Sequence, residues 1–394
     1  MPVASASSSF ERQRVVGLDL LRALAITFVV LAHGLPFLYP HHGWMTWGGH
    51  LGSFGVDLFF VLSGYLIGGI LLRLGPEVGS IRGLVGFWLR RWLRTVPNYW
   101  LFLALNVPFM LYVWKLPVDI PSFFWRFPLF LQNLTSRHPP FFPESWSLAV
   151  EEWFYLLLPF LLFLGLKCTR RYTVVFVTAA TLLLLGPLVA RLTAPPPEIW
   201  AEDLRKVVRF RLDAIMYGVL VAWAHRRWPA QVHRSRYALL AVGLVLVGWT
   251  YRDFFRLDLQ NSWYARTWLS SMVTLGFALW LPWAASLRTV GLNLADAGIR
   301  RIALWSYAMY LLNMPAHVWL TQQFGEASHR SVLTAWGVFA LYWTLVTAVA
   351  AAVYHYYEHP ILRLRDKIPW CRETSRPAPP TTASRTAVPV QDLA

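Results

Sequence analysis

Ionisable side chains occur inside stretches of this sequence that are otherwise apolar. The first such stretch, GLDLLRALAITFVVLAHGLPF, contains Asp19, Arg22 and His33. Arg22 and His33 are eleven residues apart, which on an α-helix is three turns and about 20°, so they share one face. A histidine there could take a proton from a hydroxyl group near neutral pH. The alternative is structural: Asp19 neutralises Arg22, and His33 only hydrogen-bonds to a neighbour.

Two further apolar stretches contain carboxylates. Asp57 lies in GSFGVDLFFVLSGYLIGGILLR, and Glu151 and Glu152 are adjacent in ESWSLAVEEWFYLLLP. Buried carboxylates are costly unless they are paired or take part in proton transfer. The first of these stretches also contains Gly64, Gly68 and Gly69, which would let another helix or a ligand approach closely. Packing and function explain these three glycines equally well.

Three arginines follow one another in the segment FWLRRWLRTVPNYW. Arg90, Arg91 and Arg94 fall on one arc of a helix, where their guanidinium groups could bind phosphates in a bidentate way. The alternative is anchoring to anionic lipid at a membrane surface, and spacing alone favours it. A further carboxylate, Glu358, lies near the end of the last apolar stretch, in YHYYEHP.

The elements that must position these residues are long apolar segments. Of the 394 residues, 56% are hydrophobic and only 14% are charged, whereas soluble domains carry about 25% charged residues. We identify ten segments of about the 20 residues that span a bilayer as a helix. They are approximately 18–38, 52–72, 96–114, 146–166, 172–192, 208–224, 237–251, 265–285, 302–322 and 333–355. The predicted fold class is therefore all-α, a multi-pass transmembrane bundle of about ten helices.

The distribution of positive charge predicts how these helices are oriented. The net charge of +16 would raise the question of nucleic acid binding. With both termini in the cytoplasm, however, 23 Lys and Arg residues fall inside and 12 outside, which is the positive-inside pattern. We therefore expect no nucleic acid partner. This orientation places His33, Asp57, Glu151 and Glu152 towards the outer side, and the arginines and Glu358 at the cytoplasmic end.

The domain organisation is simple. We predict a disordered cytoplasmic N-terminus at 1–13, one transmembrane domain at 14–366 and a disordered cytoplasmic tail at 367–394. The two cysteines, Cys168 and Cys371, fall on the predicted cytoplasmic side, so we expect no structural disulfide. We expect no second catalytic domain.

Taken together, these segments resemble the acyltransferase-3 family of bacterial membrane proteins, which O-acylate polysaccharides, lipopolysaccharides and some small molecules. The resemblance covers residues 14–366. It is carried by GLDLLRALAITFVVLAH with its Arg-x10-His spacing, GVDLFFVLSGYLI, RRWLRTVPNYW, SWSLAVEEWFYLLLP and YYEHP, which occur in that order.

The resemblance implies roles for matching residues. His33 would be the catalytic histidine and Arg22 its companion on the same helix, while Arg91 and Arg94 would bind the acyl-CoA. Glu358 would match an acidic position near the end of the last helix. The sequence departs from the family at LLNMP, where many relatives carry histidine in place of Asn313, which leaves the acid–base role with His33.

The function implied is transfer of an acyl group, most simply acetyl, from cytoplasmic acyl-CoA to a hydroxyl of an extracytoplasmic glycan, glycolipid or small molecule. Glu151 or Glu152 would orient the base or the sugar, and Asp57 would contact substrate. Direct transfer and an acyl-enzyme both remain open. We expect a bacterial cytoplasmic membrane location among membrane lipids, with no tightly bound cofactor and no metal. The alternative is a transporter or flippase of a lipid-linked sugar that uses the same charges as a proton relay.

Overall fold

The computed structural model of the chain describes residues 15–115 and 120–371. Within these ranges the secondary structure is helical, without β-strands, which confirms the predicted fold class. The predicted disordered N-terminus and residues 372–394 of the predicted tail lie outside the described residues. The tail residues nearest the bundle are described: Pro369–Cys371 forms a 3-10 turn that packs on the helix containing Gly86. Ordered packing therefore extends past residue 366.

The helices follow one another along the chain with short connections. In order they are α1 (Val16–Gly34), α2 (Leu51–Leu74), α3 (Ile81–Pro108), α4 (Ser145–Cys168), α5 (Tyr172–Thr193), α6 (Leu212–Arg227), α7 (Pro229–Arg256), α8 (Ser270–Ala278), α9 (Leu281–Ser286), α10 (Asn293–Arg330), α11 (Val332–Val353) and α12 (His359–Arg365). Between α3 and α4 the described part of the chain includes a π-helical turn, Phe109–Trp114, which directly follows α3, and a short helix, Ile120–Phe124.

Eight segments of the described residues are helical, long and apolar enough to cross a membrane. They correspond to eight of the ten predicted spans. The other two predictions, 208–224 and 302–322, fall on α6 and α10. Helix α6 has only 16 residues, short of the roughly 20 needed for the hydrocarbon core, and polar residues such as Asn313 and His317 lower the apolarity of α10.

The centre of the bundle is formed by α1, α2, α6 and α10, with α11 packed on α10. Helices α2 and α6 approach each other very closely at two glycines. A Cβ atom on Gly64 would lie 1.9 Å from the carbonyl oxygen of Ile215, and one on Gly218 would lie 2.0 Å from that of Val61. Packing therefore accounts for Gly64, and the same holds for Gly68, where a Cβ would lie 2.9 Å from the Cα of Val219.

Helix α3 begins earlier than the sequence predicted. Its first turn is capped by Ser80, whose hydroxyl oxygen accepts a hydrogen bond of 3.0 Å from the amide of Gly83, as serine commonly does at a helix start. The segment containing Arg90, Arg91 and Arg94 is therefore the middle of α3 rather than its mouth. This places Arg91 against Glu151 and Tyr155 of α4, whereas Arg94 is exposed.

Candidate active site

A narrow cavity of about 90 Å³ lies between α1, α2, α3, α4 and α10. Five of the predicted site residues line it: Arg22, Arg91, Arg94, Glu151 and Glu358. Their side chains come from four separate parts of the chain, and hydroxyl groups of Ser63, Thr95, Ser147 and Tyr310 line the same space. The cavity is thus a polar interior within an apolar bundle, the situation in which intramembrane charges are tolerated.

Glu151 is the centre of a hydrogen-bonded network in this cavity. The hydroxyl of Ser63 donates to its Oε1 at 3.0 Å, and the hydroxyl of Tyr155 donates to its Oε2 at 2.8 Å. Arg91 lies 3.8 Å from the same Oε2, hydrogen-bonds to the Tyr155 hydroxyl and stacks over the Tyr155 ring at 4.1 Å. The guanidinium group of Arg91 therefore interacts with Glu151 and Tyr155 and stabilises the position of Glu151.

Glu152 points away from the cavity, because neighbouring residues on a helix differ in direction by about 100°. Thr95 connects it to the cavity: the Thr95 hydroxyl donates to Glu152 Oε1 at 2.6 Å, and Thr95 itself lines the cavity. The hydroxyl of Tyr307, on α10, donates to the carbonyl of Thr95 at 2.9 Å. The second oxygen of Glu152 has no hydrogen-bond partner among the described residues.

The end of the cavity that is lined by Arg22 and Arg94 carries positive charge. Arg94 is exposed and interacts electrostatically with Arg22, Arg91 and Glu358. Glu358 is buried and accepts a hydrogen bond of 2.8 Å from the side chain of Asn98 on α3. It ends a π-helical turn, Tyr354–Glu358, that follows α11, and such turns are frequent at functional sites. Arg94 is thus the arginine with room for an anionic ligand.

Asp57 does not line the cavity. It is buried in an ion-pair cluster with Arg205, at 3.3 Å, and with Arg211, all three side chains being almost fully inaccessible. Both arginines lie in the segment that leads into α6. The cluster therefore fixes this segment to α2, and no direct contact of Asp57 with the cavity is present.

His33 lies outside the group of cavity-lining residues, about 16 Å along the α1 axis from Arg22. Its Nδ1 is 3.0 Å from the carbonyl oxygen of Val29. Since a carbonyl only accepts, Nδ1 must carry the proton, and Nε2 of the neutral ring is left as an acceptor. This is the tautomer that a general base requires. The imidazole of His317, on α10, lies close enough to interact with it electrostatically.

Polar groups without partners lie near His317 and Tyr342, whose ring centroids are 6.5 Å apart. Several buried side-chain atoms have no hydrogen-bond partner within the described ranges: both carboxyl oxygens of Glu144, Oδ1 of Asn313, the hydroxyl of Tyr342 and Nδ1 of His317. Buried polar atoms are nearly always hydrogen-bonded. Such a concentration indicates a place where the hydroxyl groups of a ligand would find partners.

Tyr310 links this cluster to the cavity. Its hydroxyl donates to the backbone carbonyl of Glu144 at 2.9 Å and lies 2.7 Å from the hydroxyl of Ser147. Tyr310 and Ser147 both line the cavity. Hydrogen-bonded polar groups therefore lead from the cavity as far as the backbone of Glu144, and no hydrogen bond among the described residues joins them to the side chain of His33.

Sequence reasoning missed Glu144 and His317, and gave no role to Tyr310. His317 could have been found, because it lies four residues after Asn313 and so on the same face of α10. Glu144 could have been found as a third carboxylate next to the SWSLAVEEW segment. Their proximity to His33 depends on how α1, α4 and α10 pack, which no spacing reveals.

The fold and the cavity define a multi-pass helical membrane protein with a charged interior. The chain belongs to the acyltransferase family, since the family model described as "Acyltransferase domain" matches residues 15–355. No solved structure matches the chain.

Curated relatives are consistent with this family. The chain is 34% identical over 176 residues to peptidoglycan O-acetyltransferase OatA of Listeria monocytogenes, covering 42% of the chain and 26% of that protein. It is 28% identical over 262 residues to a Staphylococcus aureus protein named "Putative O-acetyltransferase", covering 53% of the chain and 39% of the relative. The chain therefore spans about a quarter to two fifths of the length of these relatives.

Proposed function

We propose that the chain transfers an acetyl group from acyl-CoA to a hydroxyl of an extracytoplasmic glycan or glycolipid. The observation that carries this proposal is the polar cavity inside the apolar bundle, where Arg22, Arg91, Arg94, Glu151 and Glu358 meet. Membership of the acyltransferase family supports the reaction type, and the names of the relatives support a glycan acceptor.

The proposed donor site is the end of the cavity that is lined by Arg22 and Arg94. The phosphates of acyl-CoA would bind at Arg94, with Arg22 and the cytoplasmic arginines adding positive charge, and the thioester would enter the cavity. A cavity of about 150 Å³ holds a benzene ring, so the 90 Å³ available here favours a small acyl group. In this proposal the arginine end faces the cytoplasm, in a bacterial cytoplasmic membrane.

The proposed acceptor site is the cluster of polar groups without partners. Nε2 of His33 would take the proton of the acceptor hydroxyl, whose oxygen would attack the thioester carbonyl while the thiolate of CoA leaves. Glu144, Asn313 and Tyr342 would bind neighbouring hydroxyls of the acceptor. Since His33 lies far from Arg22, the donor's thioester must reach outward past Ser147, or the acyl group must be relayed.

The test is a pair of substitutions at His33. Removing a general base typically lowers the rate by about 100- to 10,000-fold. We expect His33→Ala and His33→Gln both to abolish acceptor acylation at matched membrane levels, because an amide can hydrogen-bond but cannot take the proton. Acyl-CoA consumption by purified protein, with and without acceptor, is the measurement.

If the His33→Gln variant still acylates the acceptor, His33 is not the general base. If the wild-type protein moves a lipid-linked sugar across the membrane of vesicles without consuming acyl-CoA, its function is transport and not acyl transfer.

A further inference from the structure

A second hollow lies beside the cavity, on the outer surface of the bundle. It measures about 670 Å³ and is formed by α3, the start of α4 and the loop 128–131. Its walls are almost entirely apolar, with Leu93, Val96 and Trp153 among them, and the residues at its mouth are exposed, Trp100 by 54% and Leu129 by 61%. Because α3 is a membrane-spanning segment, the mouth opens towards the lipid.

One charged side chain lines this apolar hollow. Glu152 is only 6% exposed, and its Oε2 has no hydrogen-bond partner among the described residues. An unsatisfied carboxyl oxygen in a lipid-facing hollow is costly, and ordinary hydrocarbon chains cannot relieve that cost. An alcohol can, because a hydroxyl both donates and accepts and so satisfies a carboxyl group in either protonation state.

A single hydrogen bond separates the hollow from the reaction cavity. Thr95 lines the cavity, Glu152 lines the hollow, and the two side chains are joined at 2.6 Å. A hydroxyl that replaces Thr95 as the partner of Glu152 would lie at the boundary between the two spaces. The hollow is therefore placed to admit a substrate sideways from the bilayer.

We infer that this hollow binds the hydrocarbon anchor of the acceptor, an amphiphile in which the head-group hydroxyl next to the anchor reaches Glu152 and the rest of the glycan extends through the cavity towards His33. This rests on the proposed acyl transfer and narrows its acceptor to a membrane-anchored alcohol such as a glycolipid. The acyl tail of the donor is a poorer occupant, since it ends in a methyl group and leaves Glu152 Oε2 unsatisfied.

The first experiment measures binding without turnover. Purified protein in lipid nanodiscs is labelled with an alkyl glucoside that carries a diazirine in its chain, and the labelled peptides are mapped by mass spectrometry. We expect label within 89–100 and 128–131, displaced by unlabelled alkyl glucoside but not by the same chain ending in a methyl ether. Label spread evenly over the lipid-facing helices and not displaced would overturn the inference, as would displacement by long-chain acyl-CoA alone.

The second experiment fills the hollow. Val96→Trp occupies it, while Leu105→Trp is the matched control, on the same helix, exposed and outside the hollow. Loss of contact with two methylene groups corresponds to about tenfold weaker binding. We expect Val96→Trp to weaken binding of the alkyl glucoside, measured by displacement of the photolabel, by about tenfold or more. Leu105→Trp should leave this binding unchanged.

Unchanged binding of the alkyl glucoside in Val96→Trp would contradict the inference. If Val96→Trp does not fold, Leu129→Trp fills the mouth from an exposed loop position and takes its place. A wild-type protein that consumes no acyl-CoA with glycan or glycolipid acceptors refutes the proposed function, but the photolabelling still decides whether the hollow holds an amphiphilic alcohol.

Discussion

Arg91 and Arg94 lie one helical turn apart, yet their surroundings predict opposite consequences of substitution. Arg94 is exposed at the end of the cavity that Arg22 also lines, whereas Arg91 is tied to Glu151 and Tyr155. We expect Arg94→Ala to weaken acyl-CoA binding and leave stability nearly unchanged. A charge-assisted hydrogen bond contributes about 1.5–3 kcal/mol, so the dissociation constant should rise by about 10- to 150-fold. Arg94→Lys should restore binding only in part, because lysine lacks the planar fork.

Arg91→Ala should instead act on stability. It leaves Glu151 without its cation, and breaking a buried ion pair costs about 3–5 kcal/mol. Replacing the carboxylate as well, in Arg91→Ala with Glu151→Gln, should recover part of that loss because no unpaired charge remains.

The assay combines calorimetric titration of acyl-CoA into purified protein with thermal unfolding of each variant. Arg82→Ala is the control, since Arg82 is exposed on the same helix and does not line the cavity. Unchanged acyl-CoA affinity in Arg94→Ala would refute the assignment of the donor site. Weakened affinity in Arg91→Ala at unchanged stability would show that the network around Glu151 opens to receive the donor.

Three further predictions follow from the fold. Gly64→Ala should prevent correct folding, because its Cβ would meet the Ile215 carbonyl at 1.9 Å, whereas Gly69→Ala, with nothing nearer than 3.7 Å, should fold normally; yield and monodispersity in detergent measure both. Tyr310→Phe removes a hydrogen bond worth about 1 kcal/mol and should lower kcat several-fold with little change in the acyl-CoA dissociation constant. Cysteine labelling should place residue 82 inside and residue 256 outside, and labelling of residue 82 from outside would reverse the topology.

Much of the site followed from residue type alone. An ionisable side chain on an apolar helix must face the protein interior or a water-filled space, and this is why Arg22, Arg91, Glu151 and Glu358 meet although they are far apart in sequence. The 3.6-residue period also implied that Glu151 and Glu152 diverge. It could not tell which of them faces the cavity, because that depends on the rotation of α4 against α3.

Other features depended on packing between distant segments. The partners of Asp57 are Arg205 and Arg211, about 150 residues further along the chain, and no spacing rule connects them. The same holds for His317, which reaches His33 only because α10 packs on α1. The predicted third span began at residue 96, because the first half of α3 is charged and does not form an apolar segment. Ser80, a residue type that commonly caps helices, marks the actual start of α3.

Helix α10 has a mechanical consequence that follows from its length. Its 38 residues extend about 57 Å, nearly twice the roughly 30 Å thickness of a hydrocarbon core. Tyr307 and Tyr310, which line the cavity, lie on this continuous element. Rotating it by 10° about its midpoint would move each end by about 5 Å. A force that displaces one end of α10 would therefore also move Tyr307 and Tyr310 at the cavity and the opposite end of the helix.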